Sequence, residues 1–442
     1  ESKKMQNKIN VGLIGAGTVG SGAYKILKEN FNEIYRKTGK EIVVFALAEK
    51  DTKRAKEVVD DKTLIFDDAF DLVKDQNIHI VVELIGGTGI SKDLVVEALK
   101  NNKHVVTANK ALIAMHGEEL VDLAIKHNVN LSYEAAVAGG IPIIKAIREG
   151  LAANKIEWIA GILNGTTNYI LTEMKENNLA FEVALKQAQE LGFAEADPTF
   201  DIEGVDAAHK ITILASIAFG IPINFNAAHI EGISNLAQKD IIYAEELGYK
   251  IKLLGITKNT NDAIELRVHP TLIPEKRLVA NVDGAMNAVL VKGDMVGPTM
   301  YYGAGAGSEP TASAVVADII DLARNLESNN TTLIPILGFV KNAIKAKKML
   351  SIEETTSEFY LRFSMKNESG VLAKITQVFA QHSISIDAMV QKEVQEDDEI
   401  VDIILVTSNM VEKEMNKIIN EIEALPENKD KVVKLRIEQL NK

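Results

Sequence analysis

The sequence predicts an α/β protein in three parts: a doubly wound, Rossmann-type parallel sheet, a mixed α+β middle, and a ferredoxin-like βαββαβ unit at the end. Three observations carry this. Short apolar strands alternate with helical periods up to about residue 135. Beyond that, alternating strands mix with helices and glycine-rich turns. A polar stretch near 345–355 then separates off a last unit of roughly 80 residues.

Taken in order, 8–14 reads as a buried strand, followed by Gly15-Ala16-Gly17-Thr18-Val19-Gly20 and a helix to about Asn30. Strand-like runs recur at Ile42–Ala48, His79–Leu84, His104–Thr107 and Asn130–Tyr133, with helices at Lys92–Asn101 and Ala111–His127 between them. In the middle, Gly139-Gly140-Ile141-Pro142 leads into a helix, then an alternating strand Lys155–Leu163 and the turn-rich 164–168. Alternation returns at Ile264–Pro270, Ala285–Lys292 and Asp294–Tyr302. Gly303–Gly307 precedes a helix, Thr311–Asn325. The stretch 345–355 is expected to be a hinge. The last unit reads as strand 358–364, helix 371–382, strands 384–393 and 398–407, helix 410–424 and strand 431–438.

Composition excludes several functions. The 442 residues contain no cysteine, so there is no thiol nucleophile, Cys-ligated zinc or iron–sulfur cluster. The lack also fits a reducing compartment. A formal net charge of −13 without any Lys/Arg run argues against nucleic-acid binding. The most apolar stretch, Ile211–Ile223, is shorter than the ~18 residues of a membrane span. The polar start, Glu-Ser-Lys-Lys-Met, lacks a signal-peptide core. A soluble, cytoplasmic protein is expected.

The glycine motif has the context that gives it meaning, following a strand and opening a helix. Gly15 permits the tight turn, Gly17 lets the backbone approach a pyrophosphate, and Gly20 allows helix and strand to pack closely. The helix N-terminus adds free N–H groups and partial positive charge. After the second strand, Glu49 favours the ribose hydroxyls of NAD, while Lys50, Lys53 and Arg54 suit the extra phosphate of NADP. Both cofactors stay open. A dinucleotide reductase needs a cationic donor where alkoxide charge develops. Lys110, at the carboxyl end of a sheet strand, and Lys210, with Asp206 one turn before it, are the candidates. An acid-rich run, Glu195, Asp197, Asp201, Glu203 and Asp206, fits a solvated loop, an ammonium site or a hard-cation site.

These residues resemble the homoserine dehydrogenase family along nearly the whole chain. The blocks are the glycine motif, Thr-Ala-Asn-Lys (107–110), Tyr-Glu-Ala-Ala-Val-Ala-Gly-Gly-Ile-Pro (133–142), and Gly-Ile-Leu-Asn-Gly-Thr-Thr-Asn-Tyr-Ile (161–170). Leu-Gly-Phe-Ala-Glu-Ala-Asp-Pro (191–198) and 303–315 complete the set. The resemblance implies interconversion of L-aspartate 4-semialdehyde and L-homoserine with NAD or NADP. It implies Lys210 as proton donor, Lys110 as a second active-site lysine near the cofactor, and Glu195, Asp201 and Asp206 as substrate ligands. Gly307 would close over the cofactor. A sodium-type cation site carries over to Glu134, Val137, Gly139 and Ile141, while Ala138-Gly139-Gly140 also reads as a tight turn before a helix N-terminus with Pro142 inside it, and the two readings are compatible. The cofactor region departs from many NADP-using members, which carry a basic residue directly where Ala48-Glu49-Lys50 stands.

The last unit resembles an ACT domain, with Asn367, Ser369, Gly370, Val371 and Leu372 between its first strand and helix. The resemblance implies an amino-acid effector there, threonine by the logic of the pathway, or else a purely structural dimerisation module. The expected domains are 1–137, completed by a return segment near 308–345, then 138–307 for substrate and dimerisation, and 356–442 for regulation. A homodimer or homotetramer is implied. A semialdehyde dehydrogenase is excluded, because that chemistry needs a thiol. A 2-hydroxy-acid dehydrogenase would have to use His209, and a catalytically dead sensor would not need Lys110, Glu195, Asp206 and Lys210 intact.

Overall fold

In the computed structural model, residues 7–326, 334–392 and 399–440 are described. The first sheet has six parallel strands: β1 (Lys8–Ile14), β2 (Glu41–Ala48), β3 (Leu64–Phe66), β4 (Ile80–Glu83), β5 (His104–Thr107) and β6 (Leu131–Ser132). Their order is β3-β2-β1-β4-β5-β6. The order reverses between β1 and β4, and that switch point opens a crevice at the carboxyl ends of the strands. Strands covered on both faces read as continuous apolar runs, and β4 and β5 are buried along their whole length.

Helix Thr18–Glu29 packs against a helix from much later in the chain, Ser308–Asn325. Gly22 makes the close approach possible, since a Cβ there would lie 2.7 Å from the Ser308 hydroxyl and 3.1 Å from Ala312. The later helix buries Ala312, Val315, Val316, Ile319 and Leu322 in the core of the first sheet.

The middle contributes β7 (Ile156–Ile162), β8 (His229–Ile230), β9 (Tyr249–Thr260), β10 (Ala263–Pro274), β11 (Met286–Gly293) and β12 (Gly297–Ala304). The main antiparallel order is β12-β11-β7-β9-β10. Against this sheet lies helix Val205–Phe219, bracketed by left-handed Gly204 and Gly220 and buried from Asp206 to Phe219. A helix buried all round lacks an amphipathic stripe, so its charged residues must be paired.

The stretch expected as a hinge is instead fixed. β13 (Lys348–Met349) pairs with Ala263–Ile264, and Ser351 and Glu354 form a capping box. The final unit holds β14 (Thr356–Lys366), β15 (Ile386–Gln391), β16 (Ile400–Thr407), β17 (Met410–Val411) and β18 (Val433–Ile437), with helices Val371–Gln381 and Glu412–Glu423. Its strands run β18-β14-β16-β15, and β18 pairs with β10 in parallel through Thr271–Arg436 and Leu272–Ile437. The two units therefore share one twelve-stranded sheet.

Alternation along β14 explains the docking. Phe359, Leu361, Phe363 and Met365 fill the unit's own core, while Tyr360 and Arg362 point the other way, onto Asp240 of helix Gln238–Glu246. Among the described residues, no helix is long and apolar enough to cross a membrane.

Candidate active site

The glycine loop is built as its spacing predicts. Gly15 has φ +104°, and a Cβ on Gly20 would lie 2.1 Å from the Gly15 carbonyl oxygen, so neither position tolerates a side chain. Gly17, by contrast, is loosely surrounded, its nearest neighbour being the Arg54 guanidinium, 3.8 Å from where a Cβ would be. That space is the room a pyrophosphate needs. The Glu49 carboxylate accepts the Ala16 N–H at 2.9 Å, tying the loop to the end of β2. A cavity beside it is lined by Gly15, Glu49, Lys50, Asp68, Ile85 and Ile90. Gly307, at φ +115°, starts helix Ser308–Asn325 next to the loop, where the Ser308 hydroxyl donates to the Thr18 carbonyl at 2.8 Å. Two helix N-termini thus converge on the crevice, which fits a dinucleotide.

At the carboxyl edge of the same sheet, Asn109 caps helix Lys110–Lys126 by accepting the Leu112 N–H at 3.0 Å. Its amide also reaches the fully buried Glu83, which accepts the Thr107 hydroxyl at 2.8 Å and the N–H groups of Ile85 and Gly86, each at 2.9 Å. Glu83 thereby fixes the turn that joins β5 to the helix that Lys110 begins.

Lys110 and Lys210 converge on one carboxylate. Lys110 Nζ lies 2.9 Å from Asp206 Oδ1, and Lys210 Nζ lies 2.7 Å from Asp206 Oδ2. Asp206 and Lys210 stand four apart on helix Val205–Phe219, so they share a face. Lys210 Nζ also donates to the Leu163 carbonyl at 2.7 Å. Burial drives the Lys210 pKa down and outweighs the attraction of Asp206. Burial acts the same way on Lys110, but there the charge of Asp206 wins and the net shift is upward. Asp206 is held well below the usual carboxylate range, its burial overcome by the two lysines.

Asp201 lies beside this group, its pKa raised by burial and by the charge of Asp206. Asn164 donates to Asp201 at 2.7 Å and to Asp206 at 2.8 Å. The Thr166 hydroxyl lies 2.5 Å from the Phe193 carbonyl and 3.4 Å from Asp201 Oδ2. Glu195 is exposed, and its charge helps raise Lys110. His209 packs between Phe200 and Phe225 at ring distances of 5.3 and 4.4 Å. Burial lowers its pKa to about 4, so it is neutral at physiological pH.

Glu134 accepts the N–H groups of Ile144 and Lys145 at 2.9 and 2.8 Å. Burial, and then Asp318, push its pKa up to about 7. Its neighbours turn sharply, with Ala138 at φ +55° and Gly139 at φ +46°. A Cβ on Gly139 would meet the Gly305 carbonyl oxygen at 2.4 Å. Among the described residues, no cluster of three or more acidic, histidine or cysteine side chains is arranged to hold a metal ion.

The chain matches the family model described as homoserine dehydrogenase over 142–320, that family's NAD-binding domain over 15–134, and the ACT domain over 359–426. It is 53% identical to the homoserine dehydrogenase of Neisseria gonorrhoeae over 98% of this chain and 99% of that one. The chain belongs to the homoserine dehydrogenase family. A homoserine dehydrogenase structure from Thiobacillus denitrificans superposes with a TM-score of 0.93 at 55% identity, covering 98% of this chain and 99% of that one. A hyperthermophilic archaeal homoserine dehydrogenase solved in complex with NADPH aligns at TM-score 0.61 and 26% identity, covering 71% of this chain and 97% of that one. The chain is thus an NAD(P)-dependent oxidoreductase acting on L-homoserine and L-aspartate 4-semialdehyde, with an ACT domain at its C-terminal end.

Sequence reasoning singled out the lysines and the acids but missed Glu83, Asn109 and Asn164. The Thr-Ala-Asn-Lys block and the Asn-Gly turn held the signal: an Asn immediately before a helix is a cap, and its remaining amide hydrogens are free to bind acids.

Proposed function

We propose that Lys210 is the proton donor in aldehyde reduction and the base in homoserine oxidation. One observation carries this: of the two lysines meeting on Asp206, Lys210 is the one whose pKa is lowered. An amine brought closer to neutrality exchanges its proton more readily than one held above its usual value. Asp206 anchors both lysines, since each of its oxygens already faces one. Lys110, more exposed and projecting from the nucleotide sheet, lies on the cofactor side. Asp201 and Glu195 receive the substrate's α-ammonium, with Asp206 adding its charge.

When bound, the dinucleotide supplies or accepts the hydride. The chain's own part is to hold the pyrophosphate on Gly15, Ala16, Gly17, Thr18, Val19 and Gly20, with Gly307 flanking it. Glu49 suits the ribose hydroxyls of NAD, and Arg54 beside Gly17 suits the phosphate of NADP, so both cofactors are accepted. The NADPH-bound archaeal relative supports the second. A monovalent cation of sodium type sits on the turn at Glu134, Val137, Gly139 and Ile141. Because the Glu134 carboxylate already accepts two N–H groups, the ligands are backbone carbonyls.

The ACT domain takes threonine at Asn367, Ser369, Gly370, Val371 and Leu372. This loop is exposed up to the left-handed Gly370, which starts the next helix. The assembly is a homodimer through the middle domain, or a homotetramer if ACT units join dimers.

Initial rates with homoserine and each cofactor, with and without ~1 mM threonine (about −4 kcal/mol in binding terms), test the whole reading. Turnover with both cofactors and inhibition by threonine are expected. A K210A enzyme that keeps near-normal turnover removes the assigned role, and a flat threonine response removes the effector.

A further inference from the structure

We propose that Asn164 is a positioning residue of the reaction, its side-chain nitrogen tying Asp201 to Asp206. The inference rests on the reading of Asp201 as an ammonium ligand and deepens it. Asn164 caps helix Gly165–Glu176, and its Oδ1 accepts the Thr167 N–H at 2.8 Å and the Thr167 hydroxyl at 3.0 Å. Those two donors fix which way the amide faces: its oxygen is occupied, so the nitrogen must point at the acids. There it donates to Asp201 Oδ1 at 2.7 Å and to Asp206 Oδ2 at 2.8 Å. Both hydrogens are used, one on each carboxylate.

Two adjacent carboxylates repel, and the usual outcome is that one takes a proton. Here the pair is met by Lys110 and Lys210 on Asp206, by the amide of Asn164 from the opposite helix, and by Thr166 beside Asp201. His209, neutral, lies close enough to feel Asp206 and both lysines, and the exposed Glu195 acts on Lys110. Asp201 has no lysine within salt-bridge distance among the contacts described, so the amide is its principal local donor. The neighbouring carbonyl of Leu163 accepts from Lys210, so one dipeptide fixes both the proton donor and the acid beside it.

Three enzymes test this: N164S, N164A and D201N. Serine keeps a side-chain oxygen for the helix cap but cannot donate to two carboxylates, so N164S separates folding from positioning. Expected for N164S is a rise in the KM for homoserine of about 10-fold or more, the worth of a hydrogen bond to a charged group. Affinity for NAD(P) should be unchanged. The acid limb of kcat/KM should move to higher pH, because losing the donor makes Asp201 easier to protonate and the ammonium needs it ionised. N164A should show the same shift with an added loss of thermal stability from the lost cap.

If D201N raises KM while N164S leaves both KM and the acid limb unmoved, positioning by Asn164 is refuted and the ammonium reading stands. If D201N also leaves KM unmoved, the ammonium reading fails and the proposal falls with it. A loss of cofactor affinity in N164S together with a raised KM, without a shift of the acid limb, also refutes it by showing a structural defect.

Discussion

Two buried charge clusters in this molecule use different cations. At the active site, Asp206 faces Lys110 and Lys210, whose pKa values move in opposite directions. At the seam between the middle and ACT domains, Arg436 pairs with Glu412 at 2.5 Å and Glu231 at 2.9 Å. Arg267 pairs there with Glu438 at 2.6 Å and Glu265 at 3.0 Å, and Arg362 pairs with Asp240 at 2.6 Å. Arg267 and Arg436 are each 1% exposed. A guanidinium stays charged in any protein environment and forks across two carboxylates, whereas an ammonium can be pushed to give up its proton. Lysine stands where a proton must move, and fully buried arginines form the centre of the seam, with the more exposed Lys258 and Lys434 at its margin.

Breaking each cluster should therefore fail differently. The largest effect belongs to the catalytic one: K210A is expected to lower turnover by about 10²–10⁴-fold while melting near the parent temperature, measured by steady-state rates and calorimetry. At the seam, R436A takes away the guanidinium shared by Glu412 and Glu231 and leaves Glu412 with Lys434 alone, 2.7 Å away, at a cost of about 1–3 kcal/mol in stability. Urea unfolding should show that loss, with much smaller changes in the turnover of the folded fraction.

A gentler probe is E438Q. Arg267 and Lys258 hold the Glu438 pKa down to about 2 against its burial. A depressed carboxylate contributes stability that is present above its unfolded value of 4.5 and drains away as pH falls toward about 2. The parent should thus lose more stability than E438Q on acidification through that window.

The smallest effect is expected for H209Q. With the His209 pKa lowered to about 4, its neutral form persists, and the parent loses stability only as pH falls from 6.5 toward that value. H209Q should flatten that acid slope and leave the pH dependence of turnover between about pH 6 and 8 unchanged. A shifted turnover profile there would return histidine to the chemistry.

Much of the fold was legible because local rules and the fold agreed. The glycine loop, β5 and the strand-helix order of the ACT domain follow from period and turn chemistry. β9, an interior strand of the second sheet, went unread because its middle is buried on both faces and shows no alternation. The stretch at 345–355 looked like a hinge because it is polar, yet its hydrogen bonds go to β10.

At the site, the lysines and acids stood out by type and position. That Asp206 serves two lysines did not, because Lys110 arrives from another domain. Glu83 and Asn164 were hidden for the same reason: their partners lie far off in the chain, and only the fold brings them together.

The central claim is that a lysine with a lowered pKa gives up the proton. The pH dependence of aldehyde reduction in the parent and in K210R tests it most directly. The account predicts an alkaline limb below 10.5 in the parent, the ordinary lysine value. It predicts loss of that limb in the residual activity of K210R, whose guanidinium does not titrate there. An identical limb in both enzymes would contradict it.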